Sequence, residues 1–297
     1  MKAIKNKVEI ENQKNAYIKD GVALVKFFNW LETGVPTGVV TEMYAASKLE
    51  DFRKEQELFM EPSFGTISAY GKNAALPHYT PSEKNPVILK NKGLYLVDSG
   101  GQYLDGTTDT TRTIALGELT EDEIKHYTLT LKSHIALMTA KFQRGTKSSE
   151  LDIIARMPLW KEGLDFNHGT GHGVGYFLNV HEGPQSISHY GFGRPNMEMK
   201  EGMITSNEPG LYRAGQWGVR IENLVLNQPA MTTEFGDFLR FETLTLCPID
   251  TRCIELGLLR EDEREWLNNY HLDVRERLLP RVEGAARQWL VARTEAV

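Results

Sequence analysis

Apolar residues recur at helical spacing in the first part of the chain. Positions three and four apart are apolar over residues 8–31, which predicts one long helix. Gly34 and Pro36 then interrupt the pattern, and Thr41 stands where the N-cap of a second helix is expected. That second helix is predicted to run through Leu58.

Four further segments carry helix signals. Thr120 and Glu123 have the spacing of a capping box, which predicts a third helix. Ser149 is expected to open a short fourth helix that Pro158 ends or kinks. Residues 261–280 predict a strongly charged helix, and a weaker helical stretch follows it.

Strand-like segments fill the gaps between the helices. They are residues 94–98, 111–116, 203–208, 219–226 and 238–246. We expect the first two to pair across a glycine-rich turn and the next two to form a second pair. Helices and antiparallel hairpins without a regular strand-helix order indicate the α+β class. Because no repeat or obvious linker is visible, residues 1–297 are predicted to form a single domain.

The composition is that of a globular protein and excludes several classes of function. The chain has 297 residues, a formal net charge of −6, 40% hydrophobic and 25% charged residues, which excludes wholesale disorder. Without a block of Lys and Arg, neither nucleic acid nor a membrane is expected as a partner. Cys247 and Cys253 lack metal-site spacing and suit a reducing, cytoplasmic location.

Acidic side chains close or interrupt three of the apolar strands. They are Asp98, Glu208 and Glu222, while Asp109 lies in the glycine-rich stretch between two strands. Acids in such strands are expected to be partly buried, and a buried carboxylate is costly unless it is paired or bound to a metal. Gathered in one place, the four carboxylates could not all stay ionised without compensating positive charge.

Two divalent cations would supply that charge, and a single imidazole would complete the ligand set. Such an oxygen-rich site suits Mn(II), Co(II) or Fe(II), and is less typical of structural zinc, which favours thiolate and imidazole. Two metal ions about 3.5–4 Å apart can activate a water molecule and polarise a carbonyl together.

The order of these acids around one histidine resembles the metal set of the pita-bread metallopeptidases, which include methionine aminopeptidase, prolidase and aminopeptidase P. The matching residues are Asp98, Asp109, His172, Glu208 and Glu222. The runs GTGHGVGYFLNVHEGP, VDSGGQYLDGTTDTTRT, NEPGLY and VRIEN look most like the cytosolic type of aminopeptidase P. The resemblance extends over residues 18–247. It implies a curved antiparallel sheet flanked by helices.

The resemblance also implies a role for each ligand. Asp98 would chelate one metal ion, and Asp109 and Glu222 would bridge both. His172 and Glu208 would hold the second metal ion, and Glu208 would also shuttle a proton. Mn(II) is the metal we expect, with Co, Fe or Zn as alternatives.

Further residues match groups that surround the metal ions in this family. His78, His168 and His181 match histidines that position the peptide and stabilise the tetrahedral intermediate. Arg220 is placed to orient neighbouring carboxylates. Tyr212 is expected to hydrogen-bond beside them.

The implied function is a dimetal aminopeptidase that releases the N-terminal residue from peptides with proline in the second position. Known aminopeptidase P chains carry further domains ahead of the catalytic one. We therefore expect residues 1–297 to be the C-terminal, catalytic part of a longer chain, with residues 251–297 as a C-terminal helical extension. The resemblance also implies a proline-containing peptide as substrate and allows a homodimer.

Several alternatives stay open at this point. Prolidase, which cleaves Xaa-Pro dipeptides, shares all five ligands, and some relatives are inactive scaffolds that bind protein partners. Asp98 and Asp109 also suit turns, and Glu208 and Glu222 could be salt-bridge partners of arginines, while His172 could sit in a tight loop. Those arginines would be Arg220 and Arg112. The four remaining histidines are interpreted as structural or solvated, namely His126, His134, His189 and His271.

Overall fold

The computed structural model describes residues 2–190 and 196–297, and within them six α-helices alternate with antiparallel strands. The helices are α1 (Lys7–Gly34), α2 (Glu42–Lys54), α3 (Glu121–Met138), α4 (Ser148–Trp160), α5 (Glu261–Leu278) and α6 (Gly284–Arg293). The strands of the first half are β1 (Phe59–Pro62), β2 (Ile67–Tyr70), β3 (Leu94–Ser99), β4 (Gly101–Tyr103), β5 (Gly106–Thr107), β6 (Thr110–Ala115) and β7 (Lys141–Gln143). Those of the second half are β8 (Gly171–His172), β9 (Ser186–Ile187), β10 (Ile204–Asn207), β11 (Gly210–Arg213), β12 (Trp217–Arg220), β13 (Asn223–Thr233) and β14 (Gly236–Thr243).

Side-chain caps fix where the helices begin. Thr120 and Glu123 form the predicted capping box at the start of α3, and the Thr41 hydroxyl caps α2 as predicted. At α1 the sequence pattern missed a second capping box, made by Asn6 and Glu9. Each cap satisfies amide groups that a helix N-terminus otherwise leaves without a partner.

Two predicted helix boundaries were wrong. α2 ends at Lys54 and does not reach Leu58, which has a left-handed backbone with φ 65°. α4 begins at Ser148, not Ser149, and continues past Pro158 to Trp160. Pro158 has no amide hydrogen and so cannot donate to the carbonyl of Ile154, yet two more helical residues follow it.

Every pairing between the named strands of the described chain is antiparallel. β3 lies between β2 and β6, while β13 lies between β10 and β14, with β7 at the far edge. The predicted pairing of segments 94–98 and 111–116 is confirmed by β3 and β6, and that of 203–208 and 219–226 by β10 and β13. A curled antiparallel sheet with helices against it confirms the α+β class.

The segment 219–226 is not the single strand that was predicted. β12 ends at Arg220 and pairs with β11, whereas β13 begins at Asn223 and pairs with β10. Between them the amide of Glu222 donates to the carbonyl of Thr111 at 3.1 Å. The apolar pattern runs through this break because both strands are buried, so periodicity could not reveal it.

The largest hydrophobic cluster joins the helices to the sheet. It includes side chains from α1, α3, α5, α6, β3 and β12, among them Val25, Leu131, Leu267, Leu290, Leu94 and Val219. The C-terminal helices therefore share one core with the N-terminal half of the chain. No helix in the described ranges has the length and apolarity needed to cross a membrane.

A buried ion pair ties α1 to α2. Arg53 donates from Nε to Oδ1 of Asp20 at 2.7 Å, and the hydroxyl of Tyr103 donates to the same oxygen at 3.0 Å. Both charged side chains are almost inaccessible to water, at 1% and 0% exposure. An exposed ion pair lies nearby, between Lys26 of α1 and Glu55, the residue directly after α2, at 2.8 Å.

We expect Arg53→Met to lower the free energy of unfolding by about 3–5 kcal/mol, because Asp20 is then a buried charge without a counterion. The matched variant Glu55→Gln breaks the exposed pair and should cost less than about 1 kcal/mol. Urea denaturation of the two variants and the parent chain measures both effects. Equal losses in the two variants would contradict the assignment of Arg53.

Candidate metal centre

The paired strands β3 and β6 bring Asp98 and Asp109 together. Asp98 is opposite Thr111 in this pair, and Asp109 comes directly before the first residue of β6. The chain between the two acids folds back through β4 and β5. This return depends on Gly100, because a Cβ there would lie 1.8 Å from the carbonyl oxygen of Thr108.

The paired strands β10 and β13 bring Glu208 and Glu222 together. Asn207 is opposite Asn223 at the end of this pair. The next residue beyond each is Glu208 and Glu222, so both carboxylates leave the sheet at the same edge. The Glu208 amide donates to the carbonyl of Thr170 at 2.8 Å.

His172 enters the site from the short strand β8, which lies against β10. Its backbone amide donates to the hydroxyl oxygen of Ser206 at 2.9 Å. The close approach requires glycine at position 171, where a Cβ would lie 1.8 Å from the carbonyl oxygen of Ser206. The glycines around His172 therefore let its backbone pack directly on a strand of the sheet.

Donor atoms of Asp109, His172 and Glu222 all lie within 4.8 Å of one another. His172 Nε2 is 3.4 Å from Oδ2 of Asp109 and 3.3 Å from Oε1 of Glu208. The tautomer that donates from Nδ1 to the Gly173 carbonyl, 3.1 Å away, leaves the Nε2 lone pair facing these oxygens. Lone pairs that face one another repel, so a cation or a shared proton between the nitrogen and the oxygens is needed to stabilise this arrangement.

Burial and mutual repulsion raise the pKa values of three of the acids. Burial is the main cause for Asp109, whose pKa lies well above its usual range, and the charges of Asp98 and Glu208 add to the effect. The pKa of Glu222 is also well above its usual range, through burial first and then through Asp109. Burial raises the pKa of Glu208 as well. The ionised forms therefore need positive charge that the site itself does not fully supply.

Arg220 supplies part of that charge. Its Nη2 donates to Oδ2 of Asp98 at 2.7 Å, and its Nε donates to the hydroxyl of Thr111 at 3.2 Å. Thr111 in turn donates to Oε2 of Glu222 at 2.8 Å. The other oxygen of Asp98 is buried without a hydrogen-bond partner. An orphaned carboxylate oxygen, oxygen-rich surroundings and an outward imidazole lone pair fit a divalent metal site.

His168 is connected to the acids indirectly, through Tyr212 and Arg220. Its Nε2 is 2.8 Å from the hydroxyl of Tyr212, which accepts a hydrogen bond from Arg220 at 2.8 Å. Its Nδ1 is 2.8 Å from the carbonyl oxygen of Gly169. Burial, followed by the charge of Arg220, lowers the pKa of His168 to about 4, so the ring is neutral at pH 7. The predicted hydrogen bonding of Tyr212 is thus present.

Nine of the side chains singled out in the sequence line one cavity of about 740 Å³. They are His78, Asp98, Asp109, His168, His172, His181, Glu208, Arg220 and Glu222. The ring of His181 lies edge-on to that of His172, with centroids 4.2 Å apart. His78 lies at the exposed rim. Phe64, Ile67 and Pro77 form apolar parts of the wall.

The arginine partners considered for two of the acids differ from the observed contacts. Arg220 pairs with Asp98, and neither Glu208 nor Glu222 has a recorded ion pair with an arginine in the described residues. Arg112 donates instead to the backbone carbonyl of Glu222 at 2.6 Å.

Arg112 is fully buried, and among the described residues its hydrogen-bond acceptors are all neutral. Besides backbone carbonyls, it donates to Oδ1 of Asn223 at 2.7 Å and to the hydroxyl of Tyr270 on α5 at 2.8 Å. This side chain therefore connects α5 to the strand that follows Glu222. Sequence reasoning considered Arg112 only as an ion-pair partner, because its acceptors are distant in the chain.

Sequence reasoning missed a second buried network, which holds the loop of His168. Asp152 and Arg156, one turn apart on α4, form an ion pair at 2.7 Å. Arg156 donates to the carbonyl of His168 and Thr170 donates to Asp152, both at 2.6 Å. The i,i+4 spacing of the pair was the available signal. His189, interpreted as structural or solvated, also contacts Asp152.

Two family models match the chain. Residues 11–229 match metallopeptidase family M24, and residues 237–297 match the C-terminal region of peptidase M24. A probable Xaa-Pro aminopeptidase P from Laccaria bicolor is 47% identical over 296 residues, which covers 98% of this chain and 46% of that protein. The chain thus spans about half the length of the curated relatives it matches.

Solved structures give the same picture. The crystal structure of X-prolyl aminopeptidase from Caenorhabditis elegans, described as a cytosolic enzyme with a di-nuclear active site, has a TM-score of 0.94 and 40% identity. The match covers 100% of this chain and 49% of the Caenorhabditis elegans chain. The prolidase from Pyrococcus horikoshii has a TM-score of 0.66 and 29% identity, covering 84% and 65%. These likenesses confirm the predicted pita-bread fold.

The raised pKa of Asp109 predicts how Asp109→Asn changes stability. The folded chain holds that proton more tightly than the unfolded chain, so ionising Asp109 destabilises the metal-free fold as pH rises above about 4. In EDTA, Asp109→Asn should therefore gain thermal stability over the parent chain as the pH rises towards the raised pKa. If Asp109 is a metal ligand, the sign should reverse with saturating Mn(II), because metal binding would then stabilise the parent chain more than the variant.

Melting temperatures measured between pH 4 and pH 8, with EDTA or Mn(II), test this prediction. Asp51→Asn, at an exposed side chain, is the matched control and should behave as the parent chain does. If the difference in melting temperature between Asp109→Asn and the parent chain changes with neither pH nor metal, the explanation is ruled out.

Proposed function

The chain belongs to metallopeptidase family M24, and from that premise we propose that it is an Xaa-Pro aminopeptidase. The reaction would release the N-terminal residue from peptides whose second residue is proline. The observation that carries the proposal is that four carboxylates, one arginine and four histidines line the same cavity. The names of the relatives, Xaa-Pro aminopeptidase P among them, supply the substrate class.

We propose that five of these side chains hold two divalent cations, with Mn(II) as the native metal and Co, Fe or Zn as alternatives. The ligands would be Asp98, Asp109, His172, Glu208 and Glu222. The orphaned oxygen of Asp98 and the outward lone pair of His172 support this set. When bound, two such cations lower the pKa of a water molecule and polarise the scissile carbonyl.

Glu208 is the side chain best suited to move a proton. It is partly exposed to the cavity and accepts a hydrogen bond from the Ser206 hydroxyl at 3.0 Å. A carboxylate in this place can take a proton from the attacking water molecule and pass it on. The nitrogen of an Xaa-Pro bond carries no hydrogen, so it must receive one to leave as an amine. Glu208 would deliver that proton.

The histidines divide into two groups by their contacts. His181 and His78 line the cavity, and we propose that they hold the peptide and donate to the oxygen that gains negative charge. Both ring nitrogens of His168 are engaged, by Tyr212 and Gly169. His168 would act on the site through Tyr212, which fixes Arg220 against Asp98.

We further propose a cytoplasmic location, in line with the Caenorhabditis elegans relative that is described as cytosolic. Residues 1–297 would form one catalytic domain of a longer protein, with 251–297 as its helical extension. The core shared by α1, α3 and α5 supports this organisation. A homodimer stays a prediction of the family resemblance.

A substrate panel separates the peptidase alternatives. With Mn(II) present, we expect the chain to hydrolyse Xaa-Pro-Xaa peptides faster than Xaa-Pro dipeptides and Met-Xaa peptides, with release of the first residue measured by chromatography. Preference for the dipeptide would assign the chain as a prolidase. Absence of any hydrolysis, in a sample shown to hold two metal ions, would favour an inactive scaffold.

Two variants test the roles of Glu208 and His181. Glu208→Gln should weaken metal binding and remove most turnover, because it loses a ligand charge and the proton carrier. His181→Ala should leave metal content nearly intact and slow kcat by about a hundredfold or more, as loss of a transition-state donor does.

Glu201→Gln, at an exposed carboxylate, is the control and should resemble the parent chain in both measurements. Elemental analysis and kcat are measured on the same preparations. Loss of metal in His181→Ala, with full occupancy in Glu208→Gln, would mean that the two roles are exchanged.

A further inference from the structure

The first residue of α2, Glu42, is a buried carboxylate without a cation beside it. Its side chain is 1% exposed. Within residues 2–190 and 196–297 no ion pair includes it, and its contacts are hydrogen bonds from neutral donors. Such a carboxylate is costly to bury. The hydrogen-bond donors around the Glu42 carboxylate therefore offset the cost of burying it.

Three neutral groups donate to the Glu42 carboxylate. The amide of Tyr70 bonds Oε1 at 2.6 Å, and the side-chain amide of Asn73 bonds both oxygens, at 3.0 and 3.2 Å. The hydroxyl of Tyr79 bonds Oε2 at 2.6 Å and also accepts from Asn73 at 2.9 Å. Hydrogen bonds to an ionised acceptor are the strong ones. The carboxylate thus fastens Tyr79 to the start of α2.

The start of α2 also holds the other end of the loop that contains Tyr79, at residues 87–89. The amide of Glu42 donates to the carbonyl of Val87 at 3.0 Å, and the amide of Leu89 donates to that of Val40 at 2.8 Å. The intervening residues, 80–86, form no helix or strand. Their course over the surface is therefore set at the two ends by α2.

His78 lies between two fixed neighbours in this loop. On one side, the Pro77 carbonyl accepts from Nη2 of Arg220 at 3.4 Å. On the other, Tyr79 is held by Glu42 at 2.6 Å. The side chain of His78 is itself exposed at the rim of the cavity. Its place over the acids thus depends on the bonds made by the residues before and after it.

We propose that Glu42 is a positioning residue, which acts through Tyr79 to hold His78 over the metal centre. The inference rests on the proposed function, since it concerns the histidine expected to contact the peptide. Glu42 itself does not line the cavity, whereas Pro77, His78, Tyr79 and Thr80 do. If the hydrogen bond between Tyr79 and Glu42 only stabilised the fold, its loss would lower activity by the same factor with or without the His78 side chain. If the bond positions His78, its loss should lower activity only when that side chain is present.

Tyr79→Phe removes the hydroxyl and keeps the ring. We expect it to lower kcat/KM for an Xaa-Pro-Xaa peptide by about tenfold, as loss of a hydrogen bond to a charged group does. Metal content should not change. Tyr70→Phe is the matched control, because the Tyr70 hydroxyl also donates to a loop carbonyl, that of Lys92 at 2.8 Å, away from the cavity. It should leave kcat/KM within about twofold of the parent value.

A double-mutant cycle with His78→Ala decides between positioning and fold stability. If Tyr79 acts through His78, Tyr79→Phe should lower kcat/KM far less in the His78→Ala background than in the parent. Equal factors in both backgrounds, or no effect of Tyr79→Phe in the parent, would overturn the proposal.

Trypsin cleavage after the exposed residue Lys84 tests the fastening without any activity. We expect faster cleavage of the folded chain in Tyr79→Phe and Glu42→Gln than in Tyr70→Phe. Equal rates in all three would refute the fastening. If the parent chain hydrolyses no Xaa-Pro peptide, the proposed function fails, while the cleavage rates still decide whether Glu42 holds the loop. Should Glu42→Gln not fold, Tyr79→Phe alone carries the comparison.

Discussion

Repulsion among four carboxylates gathered at one edge of the sheet is the constraint on which the rest of the structure depends. Asp98, Asp109 and Glu222 are 8%, 3% and 1% exposed, so water cannot screen them well. Arg220 and the surrounding hydroxyls compensate only part of the charge. The acids stay close because each is placed by the end of a strand whose other side chains are buried in the core. The energy of the core thus keeps a set of charges together that would separate on a looser scaffold.

The sequence predicted features whose signals are local. Capping residues located the start of α3, and apolar strands located the pairs that bring the acids together. Nine side chains chosen from motifs line one cavity, because the motifs lie where strands end. The split between β12 and β13 was not predictable, since it depends on a change of pairing partner. Nor was the contact between Glu42 and Tyr79, whose residues are 37 positions apart.

The groups that surround the acids are held by three separate hydrogen-bond networks, each rooted in a different helix. α2 holds the loop of His78 through Glu42, and α4 holds the loop of His168 through Arg156. α5 reaches the strand after Glu222 through Arg112. Each network lies behind the cavity wall and satisfies buried polar groups that would otherwise be costly. Loops that carry function are in this way given the rigidity of the elements beneath them.

The position of Arg112 has a consequence for the local unfolding of the native structure. Its guanidinium bonds the carbonyl of Glu222, the side chain of Asn223, and the hydroxyl of Tyr270 on α5. If α5 detached alone, the guanidinium would be left buried with part of its acceptors missing, which is costly. Local opening of α5 and opening of the sheet beside Glu222 are therefore one cooperative event. In native-state hydrogen exchange the two would behave as a single foldon, and a ligand at the acids would slow exchange in a helix that it never touches.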